Sequence, residues 1–135
     1  MTKVNQIQVG DTLPQREFKP DSVQLFLYNA VLFNAHRIHF DYPYTTEAEN
    51  YPDLVVPGPL LGDWLNQCVN EWLGEKGHLA SIDYSNRKAA YVGETLYSGG
   101  RVISYNEEER EVQIEVFIKN EADEILAPGL AVVRM

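Results

Sequence analysis

The stretch 58–74, GPLLGDWLNQCVNEWLG, leaves this chain few ways to fold. Leu60, Leu61, Trp64, Leu65, Cys68, Val69 and Trp72 recur at helical spacing and cover much of a helix circumference. Gly58 and Pro59 suit its start, where the N–H that proline lacks has no helical partner, and Leu73-Gly74 marks its end. A 59–73 helix so apolar has to be enclosed by other structure. What encloses it is written downstream, where the period changes from 3.6 to 2. Val112, Ile114, Val116 and Ile118 alternate with Gln113, Glu115 and Phe117, which is the pattern of a half-buried strand. Segments around 81–91 and 95–105 precede that strand and 130–133 follows it. Turn signals at Gly99-Gly100, Asn106 to Glu109 and Asn120 to Asp123 separate them. The expected fold class is therefore α+β, an antiparallel sheet wrapped around a central helix. With 135 residues and 44% hydrophobic composition, one domain over 1–135 is the expected organisation.

Before the central helix, residues 7–18 read as a short extended segment with a turn at Gly10-Asp11. A helix follows, with Pro20 at its first position, and Val23, Phe26, Leu27, Ala30 and Val31 form the stripe expected to be buried. It ends where NAHRIHFDYPYTTEAENYPDLVV, residues 34–56, begins. That loop is too rich in His, Asn, Asp and Tyr for a mere connection, and it delivers polar side chains to the N-terminus of the central helix.

Composition removes several functions. A formal net charge of -9 disfavours sequence-independent nucleic-acid binding, which needs clustered Lys and Arg. No run has the length of a membrane span, and the opening MTKVNQIQVGDTL lacks the apolar core of a signal peptide, so a cytoplasmic protein is expected. The single cysteine, Cys68, excludes a disulfide framework and a cysteine-based zinc site, and it reads as core together with Trp64 and Trp72. His36 and His39 stand three apart, but no third ligand of suitable type stands at a useful distance, so no metal is expected.

HRIHFD followed by YPDLVVPGPL resembles the hydratase/dehydratase loop of MaoC-like hot-dog proteins. The resemblance is strongest to the branch containing mitochondrial 3-hydroxyacyl-thioester dehydratase and the mesaconyl- and itaconyl-CoA hydratases. It extends more weakly to VGDTL at 9–13, YVGETL at 91–96 and APGLAVV at 127–133. It implies the hot-dog fold, a homodimer or higher homo-oligomer, and an (R)-specific enoyl-thioester hydratase or 3-hydroxyacyl-thioester dehydratase of fatty acid metabolism. No cofactor is implied. The partner would be an acyl-CoA, with Arg37, Lys76, Arg87 and Lys88 available for phosphates. An acyl carrier protein, itself acidic, is the less favoured carrier.

The residue types support such chemistry. Hydration of an α,β-unsaturated thioester needs a base for water, a proton donor for the α-carbon and a stabiliser for the thioester oxygen. His39 can serve the first two, because its pKa lies near neutrality. The Gly58 N–H at a helix start can serve the third, and the missing side chain admits the substrate. In the better-known hydratases of the family an aspartate stands five residues before the histidine; here Asn34 does, which cannot be a general base and is expected to hold the water. His36, Arg37 and Asn66 are candidate substrate-binding residues. Each has a plainer reading: His36 as a packing or hydrogen-bonding residue, Arg37 as a solvated cation, Asn66 as a solvated helix side. Asp41 either fixes a histidine tautomer or terminates the loop, and Gly93 and Gly129 read as turn and bulge glycines. The alternative to an enzyme is a non-catalytic hot-dog subunit or acyl-CoA-binding partner in a heteromeric hydratase. A thioesterase is a third class, for which only Asp63 offers a carboxylate on the central helix.

Overall fold

The computed structural model describes residues 7–135; residues 1–6, and with them part of the opening weighed as a leader, lie outside the described residues. Five strands form one sheet in the order β1 (Arg16–Phe18), β3 (Leu96–Asn106), β4 (Glu111–Asn120), β5 (Ile125–Arg134) and β2 (His78–Tyr84). Every pairing is antiparallel. The alternation in β4 does what the sequence implies, with Val112, Ile114, Val116 and Ile118 all buried. The Asn106–Arg110 and Asn120–Asp123 turns close its two ends onto β3 and β5.

Helix α2 (Gly58–Leu73) lies against the sheet, touching β2, β3 and β4. Trp64 is 3% exposed and Leu65 0%, so the helix is enclosed as its composition demands. The Phe18 ring of β1 stacks on Trp64 with centroids 4.1 Å apart. Burying one such large apolar side chain stabilises by about 1.5–3 kcal/mol, which makes α2 the main organiser of the core.

Helix α1 (Ser22–Leu32) departs from expectation twice. Its N-cap is Asp21, whose Oδ1 accepts the Gln24 N–H at 2.8 Å, so Pro20 precedes the cap and is not the first helical residue. Its expected buried stripe faces outward: Val23 is 64% exposed, Phe26 59%, Leu27 57% and Val31 76%. The core contact is made instead by Leu25, with Tyr28 packed at its edge and Asn29 buried beside it. Helical period identifies an apolar face but not the surface that covers it.

Two glycine readings also change. Gly99 and Gly100 lie inside β3, where a Cβ on Gly99 would come 2.9 Å from the Phe117 ring and one on Gly100 2.9 Å from the Glu115 carbonyl oxygen. They permit close approach of β4 and mark no turn. Gly129 pairs regularly with Val116 and Tyr84, with the Tyr84 Cβ 2.8 Å from where its own Cβ would be, so it is a close-approach position and not a bulge. Gly93, at φ 90°, is the expected turn glycine.

Candidate active site

The loop after α1 is held by its own polar side chains. Phe33 ends the helix in the left-handed region at φ 55°, and the Asn34 N–H returns to the Asn29 carbonyl at 2.9 Å. The Asn34 Oδ1 then accepts the His36 N–H at 3.0 Å, and His36 caps a short 3-10 turn, Arg37–His39. Arg37 donates to the Asp41 carboxylate from Nε at 3.0 Å and from Nη2 at 2.8 Å, while its guanidinium lies 4.0 Å from the Tyr44 ring centroid. The Arg37 guanidinium, ahead of the Tyr44 N–H, holds the Asp41 carboxyl below its usual pKa. Buried Thr45 donates from its hydroxyl to the Asp41 carbonyl at 2.7 Å. Asp41 thus closes the loop and touches neither histidine.

The Leu54–Val56 segment ties this turn to the rest of the site. The Val55 N–H donates to the Ile38 carbonyl at 2.9 Å, the Val56 N–H to the Ala90 carbonyl at 2.8 Å, and the Val92 N–H to the Leu54 carbonyl at 3.0 Å. The His39 Nδ1 lies 2.6 Å from the Val55 carbonyl oxygen. A carbonyl can only accept, so Nδ1 carries the proton and Nε2 carries the lone pair of the neutral ring. Burial pushes the His39 pKa below its ordinary 6.5; the Val55 carbonyl acts in the opposite direction, and nearby His36, with ring centroids 5.6 Å apart, lowers it further. His39 is therefore a neutral, oriented base at neutral pH.

His39 and Gly58 line one cavity of about 270 Å³, together with Ile38, Val55, Asn86, Arg87 and Lys88 among others. At the α2 N-terminus Pro59 has no N–H, and the Leu60 and Leu61 N–H groups both point to the Pro57 carbonyl, at 3.0 and 3.4 Å. Gly58 is left holding the free donor of that terminus. Lys88 is paired with Glu124, whereas Arg87 makes no ion pair among the described residues. One wall of the cavity thus offers an oriented base, another an unpaired N–H, and its rim a cation.

The other sequence candidates lie elsewhere. Asn34 faces a separate hollow of about 320 Å³ with Phe26, Asn29, Ala30, Phe33, Ala35 and Phe40, and its acceptor oxygen is committed to the His36 N–H. Arg37 points along the loop to Asp41, and Asn66 donates from Nδ2 to the Gly62 carbonyl at 2.9 Å, one turn back in its own helix. His36 accepts the Ile38 N–H. Asp63 accepts the Tyr28 hydroxyl at 2.6 Å, away from the His39 cavity. Among the described residues no cluster of His, Cys, Asp and Glu could hold a metal. Sequence reading missed Asn86 and the Val55 carbonyl; it placed 85–88 within an extended segment around 81–91, whereas β2 ends at Tyr84.

A sheet enclosing one long helix, with a histidine turn facing that helix's N-terminus, defines the hot-dog fold in its hydratase-like form. The profile of the family described as "Hydroxyacyl-thioester dehydratase type 2" matches residues 2–92, more than half of the chain, and the chain belongs to that family. Over 52 residues it is 50% identical to "Hydroxyacyl-thioester dehydratase type 2, mitochondrial" of Schizosaccharomyces pombe, a match covering 37% of this chain and 17% of that protein. Over 46 residues it is 54% identical to "Mesaconyl-C(4)-CoA hydratase" of Chloroflexus aurantiacus, covering 34% of this chain and 16% of that protein. The match thus spans about a sixth of the length of either relative. The fold is shared with the solved "(R)-hydratase from A. caviae involved in PHA biosynthesis", at a TM-score of 0.86, 17% identity, and coverage of 96% of this chain and 98% of that one.

Proposed function

We propose that this chain is a hydro-lyase interconverting 2-enoyl and (R)-3-hydroxyacyl thioesters, with CoA as the carrier. The observation that carries this reading is the shared cavity of His39, oriented by Val55, and the free N–H of Gly58. In hydration, the His39 Nε2 takes a proton from water as the water oxygen bonds to the β-carbon. The electron pair of the double bond moves toward the thioester carbonyl, and the Gly58 N–H stabilises the charge developing on its oxygen. The imidazolium then returns the proton to the α-carbon, so one water is added and no group is left over. Dehydration runs the same steps backward.

His39 is the sole acid-base group in this scheme. Asn34 is not assigned the water, because it lines the other hollow and its oxygen already accepts a hydrogen bond. Arg87 at the cavity rim, in preference to Arg37, is the cation for a CoA phosphate. The exposed apolar face of α1 supports a homodimer in which a second copy covers Val23, Phe26, Leu27 and Val31. The intact base and donor favour the enzyme over a non-catalytic subunit. A cytoplasmic location rests on the sequence alone; among the described residues no helix is long and apolar enough to cross a membrane.

Incubation of the purified protein with crotonyl-, mesaconyl- and itaconyl-CoA tests the proposal. Loss of the enoyl chromophore with formation of an (R)-3-hydroxyacyl-CoA is the expected result. Formation of the (S) product would remove the stereochemical assignment, and hydrolysis to free CoA would replace the lyase by a thioesterase.

A further inference from the structure

One donor at the helix start leaves the thioester oxygen half-served, since a carbonyl oxygen has two lone pairs and an enolate-like oxygen gains from both being met. The cavity contains a second donor, the exposed side chain of Asn86. A Cβ built on Gly58 would fall 2.3 Å from the Asn86 Nδ2, 3.0 Å from its Cγ and 3.4 Å from its Oδ1. The Asn86 carboxamide therefore rests against the Gly58 Cα with its NH2 end nearest. Among the described residues that carboxamide has no hydrogen-bond partner, and it lines the same cavity as His39.

The N-terminus of α2 presents the Gly58 N–H, left without a helical partner. The Asn86 carboxamide, in contact with the same glycine, places an NH2 group at the same wall of the cavity. The loop that carries Asn86 is fixed there by the backbone. The Ser85 N–H donates to the Pro128 carbonyl at 3.1 Å, and the Arg87 and Lys88 N–H groups both donate to the Leu126 carbonyl, at 2.9 and 3.2 Å. Asn86 thus sits between two residues pinned to β5. A Cβ at position 58 would displace the carboxamide.

We propose that Asn86 is a further catalytic residue, whose Nδ2 donates together with the Gly58 N–H to the thioester carbonyl oxygen, a role that rests on the hydro-lyase reading above. The ligand group is a thioester carbonyl, held by two donors from α2 and from the loop after β2. The carboxamide moves no proton; it stabilises the charge that grows on oxygen while His39 performs the transfers.

The full chain with Asn86→Ala and Asn86→Asp tests this in two assays. In crotonyl-CoA hydration, Asn86→Ala should lower kcat/KM by about 10²-fold, the scale on which one oxyanion donor acts, and Asn86→Asp should be slower still because its carboxylate repels the developing charge. In equilibrium binding, Asn86→Ala should weaken butyryl-CoA while leaving S-butyl-CoA, the thioether without the carbonyl, unchanged. A merely structural Asn86 would weaken both ligands alike, and that result overturns the proposal. Normal turnover by Asn86→Ala, in an assay where His39→Ala is inactive, overturns it and leaves the hydro-lyase reading standing. A wild type that hydrates nothing and binds the two ligands equally overturns both.

Discussion

At the scale of single residues, His39 is defined by what surrounds it. The Val55 carbonyl selects its tautomer and burial lowers its pKa below 6.5, so the folded protein holds the ring neutral where an unfolded chain would begin to protonate it. Between 6.5 and the lower folded value the unfolded state binds the extra proton, so the stability contributed by neutral His39 is complete above 6.5 and lost as pH falls through that window. Urea unfolding of wild type and His39→Gln should therefore show the wild type losing stability more steeply as the pH is lowered from about 7 to about 5, the range over which a histidine changes charge. Parallel pH profiles would mean that His39 is not held neutral. His39 and Gly58 can be proposed from the sequence because a titratable ring and a residue without a side chain at a helix start suggest their chemistry by type, and the fold sets both on one cavity. Asn86 cannot, since its meaning arises from a contact with a residue 28 positions away, and nothing in the string SNRK brings that contact to mind. Asn34 stands out by its position in the motif, and the left-handed turn at Phe33 and the hydrogen bond to His36 set it against a hollow other than the His39 cavity.

Among the elements, α2 and α1 show where periodicity informs and where it stops. An apolar residue at nearly every inward direction of α2 permits one outcome, enclosure, and Leu61, Leu65 and Val69 are buried as that requires. In α1 the larger stripe faces out, and the smaller contact of Leu25 and Tyr28 holds the helix to the core. The homodimer proposed above would cover this face, which Phe33, 94% exposed, extends. Val31→Asp lies away from both the His39 cavity and the core, so it should leave the fold intact while a charge placed in the interface shifts the protein to the monomer. Sedimentation of the two proteins at equal concentration distinguishes the cases. A wild type already monomeric, or a variant that stays dimeric, would leave the α1 face without that role.

For the molecule as a whole, the fold was readable because its two parts use different periods, one helix to be covered and four longer strands to cover it. The site was readable only in part, since the sheet brings β2's following loop to the helix start by long-range pairing of β2 with β5. Of the two cations lining the cavity, Lys88 is paired with Glu124, and Arg87, which the proposed CoA carrier would use, makes no ion pair among the described residues. These features meet in one claim, that a single buried histidine performs both proton transfers on a thioester held at the start of α2. The most direct test is the rate of crotonyl-CoA hydration by wild type and by His39→Ala, with folding checked by circular dichroism. The expected result is a fall of about 10²–10⁴-fold with the fold retained, the range supplied by general acid-base catalysis. A folded His39→Ala protein that hydrates crotonyl-CoA at the wild-type rate would contradict the claim.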